Sequence, residues 1–179
     1  MNNQNINKEK NNGSMQWKAL YVASRAEKKV QLRLTELGLN AYVPLKKERK
    51  QWSDRKKIVI SPLINGYVFV QVNEKVRDEV FKASGVIQYV RWNGADAVVR
   101  DKEIEVLKDI EMKGYHTDAG PIDKFETGSR AVISHGQFKG LTGIIERTAG
   151  KEIYTINLES IGYSVRINLP AEVLKKTNS

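Results

Sequence analysis

Residues 65–72 read Asn65-Gly66-Tyr67-Val68-Phe69-Val70-Gln71-Val72. The run is apolar and β-branched, opens after Pro62 and closes at Asn73, which are the bounds of a strand. Side chains alternate across a strand, so Val68, Val70 and Val72 share one face and Tyr67, Phe69 and Gln71 the other. Upstream, Trp17 to Ala23 reads as a second strand, with Leu20 and Val22 on one face and Trp17, Ala19 and Tyr21 on the opposite one.

Between these strands Ser24 is expected to start a helix, since Glu27 follows at the capping-box spacing. Ala26, Val30, Leu34 and Leu37 repeat at helical spacing, and Gly38 supplies the stop. Asn40 to Val43 is short and extended. The basic stretch after Pro44 is expected to form an exposed hairpin with its turn near Ser53–Asp54. Downstream, Asn73 is placed to cap a second helix bearing Val76, Val80 and Ala83 inward, ended by Gly85. Val86 to Trp92 is a strand followed by an Asn93–Gly94 turn, and Asp101 begins a third helix with Ile104, Leu107 and Ile110 inward. Strand, helix, strands, helix, strand is the order of a ferredoxin-like or RRM-like α+β domain with an antiparallel sheet.

The helices flanking residues 65–72 cover only one side of that sheet, and the aliphatic side suits them. Tyr21, Tyr67 and Phe69 are then expected on an open face, unless the hairpin, the third helix or a second domain covers it. An exposed aromatic patch wants a partner. RNA is one candidate, because residues 65–72 partly match the strand whose aromatics stack on bases in RRM domains. An apolar protein surface is the other.

From Gly114 to Lys124 the periodicity vanishes, and Gly114, Asp118, Gly120, Pro121 and Asp123 break any element, so residues 113–124 read as a flexible linker. Residues 125–176 change character. Arg130–Ser134, Leu141–Glu146, Glu152–Leu158 and Tyr163–Asn168 are short strands divided by glycine turns, as in a small all-β barrel. The alternation of Tyr154, Ile156 and Leu158 favours strands over helix here.

The chain has 179 residues and a net charge of +9. Residues 15–66 hold most of the excess, and Lys46 to Lys57 alone contains seven basic and two acidic residues. A polyanion or an acidic protein face is the natural partner of such a run. Residues 1–14, mostly Asn and Lys, lack the apolar core of a signal peptide and read as a disordered leader. No run approaches the roughly 18 apolar residues of a membrane span, so a cytoplasmic protein without a membrane partner is expected. The absence of cysteine removes disulfides, thiol nucleophiles and thiolate metal sites.

The segment Gly128-Ser129-Arg130-Ala131-Val132-Ile133-Ser134-His135-Gly136-Gln137-Phe138-Lys139-Gly140-Leu141-Thr142-Gly143 looks like a KOW motif. Val132 and Ile133 end a strand, Gly136 and Gly140 allow a tight turn over Phe138, and Gly143 permits close backbone approach. Trp17 to Tyr21, Pro62-Leu63, Gly66 to Val70, Gly85-Val86 and Val90 to Trp92 resemble the NGN signature. An NGN-like domain over 15–112, a linker and a KOW domain of SH3-like barrel type together resemble the NusG family of transcription elongation factors. The resemblance covers nearly everything from Trp17 to Lys176.

In that family the NGN domain binds the clamp helices of the largest RNA polymerase subunit and suppresses pausing. Tyr21, Leu63, Ile64, Tyr67 and Phe69 fall at positions resembling this contact. The basic stretch resembles specialised UpxY-type antiterminators of capsular-polysaccharide operons, and more distantly those of RfaH and LoaP type. That likeness implies a promoter-proximal DNA or nascent RNA element. Arg25, Lys28, Lys29, Lys46, Lys47, Arg49, Lys50, Trp52, Arg55, Lys56 and Lys57 are the candidates to meet it. The resemblance further implies a ribosomal protein or Rho as partner of the KOW domain, through a loop where Ile161 is the apolar anchor and Tyr163 its neighbour. A dedicated antagonist is compatible with it, and the chain is expected to be a monomer. An RRM-like RNA-binding protein and a ribosome-associated KOW protein are the alternatives.

No enzyme is expected, and no metal or cofactor. His116 and His135 lack ligands at helical spacing, Gly136–Gly143 lacks the GK[ST] of a phosphate-binding loop, and no carboxylate pair is fixed as acid and base.

Overall fold

The computed structural model describes residues 13–51, 56–114, 117–121, 129–132, 142–148 and 151–169. It divides into two compact units, residues 1–43 with 65–101 and residues 44–64 with 102–179.

The first unit is built on β1 (Gln16–Val22), α1 (Glu27–Glu36), β2 (Asn40–Tyr42), β5 (Tyr67–Val72) and β6 (Val86–Tyr89). The sheet runs β2-β5-β1-β6, all antiparallel, with β9 (Val98–Val99) also pairing with β1. Taken in chain order, its four main strands lie 2-3-1-4, which is the split β-α-β arrangement expected of a ferredoxin-like domain. The register sets Tyr21 opposite Tyr67, Ala19 opposite Phe69 and Tyr42 opposite Phe69. The parity reading therefore holds: those side chains share a face, and Leu20, Val68 and Val70 share the other.

Helix α1 packs on β2 and β5 and buries Val30 and Leu34. Its start differs from expectation. Ser24 is exposed and does not cap; Arg25 takes a left-handed φ of 61°, and the helix begins at Glu27 without a side-chain cap. The Glu27 carboxylate is instead buried and accepts the Gly66 N–H at 2.7 Å. Because the helix starts at Glu27, that residue stands at the first helical position and not the third, where a capping box needs it, and its carboxylate meets a turn 39 residues away.

The expected second helix is only a 3₁₀ stretch, Arg77–Lys82. Asn73 still caps the turn that precedes it, its side-chain oxygen accepting the N–H groups of Lys75 and Val76. The segment ends where Ala83 turns extended (φ −80°, ψ 107°), two residues before Gly85 at φ 101°. The strand expected over Val86 to Trp92 is split at Val90, and its second part, β7 (Arg91–Trp92), forms a hairpin with β8 (Ala95–Asp96). Asn93 and Gly94 form its two-residue loop with φ of 51° and 82°, the positive pair a type I′ turn requires.

The second unit contains the hairpin β3 (Leu45–Gln51) and β4 (Lys56–Pro62), closed at its base by Leu63 N–H to Pro44 O at 2.8 Å. It also contains most of α2 (Asp101–Lys113), whose Ile104, Leu107 and Ile110 are buried as expected. Its sheet runs β10-β14-β13-β12-β11, all antiparallel. The strands are β10 (Thr117–Pro121), β11 (Ser129–Val132), β12 (Thr142–Thr148), β13 (Lys151–Leu158) and β14 (Tyr163–Leu169). Four of them lie where short strands were expected. The fifth, β10, corrects the reading of 113–124 as unstructured linker. Gly120 and Pro121 weaken a central strand, but β10 lies at the end of the sheet and needs bonds only to β14. Tyr154, Ile156 and Leu158 are buried on one side of β13, as their alternation requires.

Candidate interaction surfaces

The sheet face carrying the expected polymerase contact is mostly closed. Tyr67 is 2% exposed, Phe69 is fully buried, and Leu63 and Ile64 are buried as well. This corrects the expectation of an open aromatic face. β5 lies inside the sheet and is buried on both sides. On the aromatic side Tyr42 lies 6.5 Å from the Phe69 ring, and Tyr21 lies 4.7 Å from the Tyr67 ring, between centroids. Tyr21 remains accessible at 37%. The Tyr67 hydroxyl donates to the Tyr21 hydroxyl at 2.7 Å, so a buried tyrosine fixes the position of an exposed one.

The basic candidates fall into two groups. Arg25, Lys28 and Lys29 are exposed around the start of α1. Lys47, Lys56 and Lys57 are exposed on the β3–β4 hairpin, whereas Lys46 is half-buried and bridges to Glu48 at 2.8 Å. Arg49 and Lys50 lie in β3 opposite Ile58 and Lys57. Trp52 and Arg55, and the turn expected near Ser53–Asp54, lie outside the described residues.

In the C-terminal sheet, Gly128, Gly136, Phe138, Gly140 and His135 lie outside the described residues, as does His116 before it. Val132 closes β11 opposite Thr142. Gly143 sits in β12 where a Cβ would lie 2.2 Å from Thr155 O and 2.7 Å from the Tyr154 hydroxyl. Ile161, expected as an accessible anchor, is buried in a 3₁₀ turn (Glu159–Ile161), and Tyr163 is half-buried. Beside Ile161, the Ser160 hydroxyl donates to the buried Glu103 carboxylate of α2 at 2.6 Å. This turn is tied down within its own unit rather than standing free.

Several features escaped the sequence reading. Ile58 and Ile60 are exposed on the hairpin; strand parity puts them on one face but does not say that this face is open. Arg77 lies 5.0 Å over the Tyr89 ring and hydrogen-bonds Asp96, while the Tyr89 hydroxyl donates to Arg77 O at 2.6 Å. The Asp96 hydrogen bond is the main cause that raises the Arg77 pKa. Burial pushes the Tyr89 hydroxyl well above the ordinary tyrosine range. Nothing in local periodicity announces a node that joins three separate segments. Among the described residues no group of His, Asp and Glu is placed to hold a metal, and no helix is long and apolar enough to cross a membrane.

Residues 15–108 match the family described as NusG, transcription termination factor nusG, over more than half of the chain. The chain belongs to the NusG family. NusG-family proteins are transcription factors, and the first unit has the α+β fold with antiparallel sheet and few helices expected of an NGN-like domain. The chain is similar in fold to NusG of Thermotoga maritima, from a structure titled for its domain interaction. That match has 18% identity and a TM-score of 0.58, over 92% of this chain and 98% of that one. A chain of the MjSpt4:Spt5 complex also matches, at 18% identity and a TM-score of 0.29, over 91% and 97% of the two chains. The basic hairpin strands lie inside the matched NusG segment, and the C-terminal sheet lies beyond it.

Proposed function

We propose that this NusG-family protein is an elongation and antitermination factor. It binds RNA polymerase at the Tyr21 end of the aromatic sheet face and meets nucleic acid with the β3–β4 hairpin. The observation that carries the reading is the Tyr67–Tyr21 pair at 2.7 Å, which presents one accessible aromatic at a fixed place within the family segment. Members of the family bind RNA polymerase, and rigid aromatics of this kind supply much of the energy of protein interfaces. Phe69, being buried, shapes that surface from beneath. The clamp helices of the largest subunit are the proposed target.

The hairpin charge supports a UpxY-type role at specific operons, such as those for capsular polysaccharide, with a promoter-proximal DNA or RNA element as second ligand. The C-terminal strands, with Gly143 in its crowded place, support a KOW domain. Because Ile161 is buried and Ser160 is held by Glu103, contact of that loop with Rho or a ribosomal protein requires its release. The burial of Tyr67 and Phe69 disfavours the RRM-like alternative, since bases stack only on accessible rings.

The test is a titration of core RNA polymerase with the labelled full-length chain. Tyr21→Ala is expected to weaken binding by at least about tenfold, as for an interface hot spot, while the variant stays folded at the assay temperature, its melting temperature falling only by the loss of the contact with Tyr67. Wild-type protein that ignores polymerase, or a Tyr21→Ala variant that binds equally well, overturns the proposal. Increased terminator readthrough in a transcription reaction containing the wild-type chain is the matching functional result.

A further inference from the structure

The β3–β4 hairpin carries its apolar side chains on the face a core would not use. Ile58 is 60% and Ile60 47% exposed, while Val59 between them is half-buried. The register pairs Ile60 with Lys47, Ile58 with Arg49 and Lys56 with Gln51. Strand parity therefore places Lys47, Gln51, Lys56, Ile58 and Ile60 on one face, and none of them is acidic. Glu48 is on the other face, where Lys46 bridges it. Lysines added for solubility need no isoleucines between them, and isoleucines that served packing would be buried.

We propose that this face enters the major groove of duplex DNA as a two-stranded ribbon, with Ile58 and Ile60 against thymine methyl groups and the flanking basic residues along the groove and its phosphates. The inference rests on the reading of the hairpin as the nucleic-acid surface and adds the duplex, the groove and the residues. Two strands about 4.8 Å apart fit a major groove about 12 Å wide, which admits a β-ribbon. Seven-residue strands span roughly 24 Å at the usual rise. The thymine methyl is the apolar group that the groove displays, and an exposed isoleucine offers it an apolar contact. The deep, narrow major groove of an RNA duplex does not admit such a ribbon. Among the described residues this face is basic and carries no acidic side chain, which supplies the charge complementarity for phosphate.

The experiment uses the full-length chain and a labelled duplex of alternating dA and dT, compared with the same duplex carrying deoxyuridine for thymidine and with the corresponding RNA duplex. Deoxyuridine differs only by the missing methyl. Removal of each methyl that an isoleucine touches is expected to weaken binding about fourfold, and the RNA duplex is expected to bind more weakly still. Ile58→Ser with Ile60→Ser, which leaves no methyl group at these exposed positions, is expected to remove the difference between the two DNA duplexes while leaving the salt dependence unchanged. Lys47→Gln and Lys56→Gln are expected to lower the salt slope by about 0.9 for each phosphate that is no longer neutralised. Equal affinity for the thymidine and deoxyuridine duplexes, preference for RNA, or no duplex binding overturns the inference. Polymerase binding is measured separately: a chain that binds polymerase but ignores the methyl groups overturns this inference alone, and the reverse result overturns only the polymerase reading.

Discussion

Glu27 and Gly66 are joined by a hydrogen bond of 2.7 Å from the Gly66 N–H to a carboxylate oxygen that is buried at the start of α1. The bond fixes the entry to β5, and the next turn of chain relies on it, since the Gly66 carbonyl accepts the Val22 N–H at 2.9 Å. Glu27→Ala strands a partly buried donor and is expected to destabilise the protein by roughly 1–3 kcal/mol. Glu27→Gln keeps an acceptor oxygen and should cost less. Urea unfolding of the three proteins measures the order, and equal midpoints for Ala and wild type would refute it.

That same bond shows where sequence reading reached its limit. The alternation in residues 65–72 is a local period and was legible, including which aromatics share a face. Whether the face is covered was not legible, because the cover over Tyr67 and Phe69 includes Tyr21 and Tyr42 from distant segments. The capping-box spacing at Ser24 was equally plain and misleading, since the helix starts only at Glu27, whose carboxylate meets a turn that local sequence does not reveal. β10 was missed because its breakers, Gly120 and Pro121, find their partners in β14, more than 40 residues on. In the proposed site, the charge of the hairpin was visible from composition. The exposed Ile58 and Ile60 required the pairing register.

Gly143 has no room for a methyl group. Its ideal Cβ would lie 2.2 Å from the carbonyl oxygen of Thr155, a backbone atom in the adjacent strand, and 2.7 Å from the Tyr154 ring. A side chain could turn aside, but the β12–β13 ladder cannot open without breaking its hydrogen bonds. Gly143→Ala is expected to cost about 3 kcal/mol, the upper part of the usual overpacking range. The loss should be read by denaturant unfolding, with near-wild-type stability as the contrary result.

Tyr89 and Tyr154 predict the alkaline limit of the fold. Burial raises both hydroxyl pKa values far above the ordinary value, and for Tyr89 the nearby Arg77 only partly offsets this. A group whose folded pKa is raised keeps its full contribution below the unfolded value, about 10 for tyrosine, and loses it as pH rises toward the folded value. Stability should therefore be flat in this respect through neutral pH and fall above about pH 10. These two hydroxyls should ionise only with unfolding. Tyrosinate absorbance followed beside circular dichroism tests this, and Tyr154→Phe should reduce the alkaline fall. Ionisation of Tyr89 and Tyr154 before any loss of structure would contradict it.

Ser160 and Glu103 tie the 3₁₀ turn of the C-terminal sheet to α2 at 2.6 Å, next to the buried Ile161. A hydrogen bond to a carboxylate is stronger than a neutral one, and its loss from a buried site leaves the charge less well solvated. Ser160→Ala is expected to destabilise by roughly 1.5–3 kcal/mol, whereas Ser160→Thr retains the hydroxyl and should recover much of the loss. The local consequence is as informative as the global one. If the bond holds the turn, amides of residues 159–162 should exchange with solvent faster in Ser160→Ala, because a turn released from its anchor opens more often. Unchanged exchange there, together with unchanged stability, would mean that the burial of Ile161 holds the turn without help from Glu103.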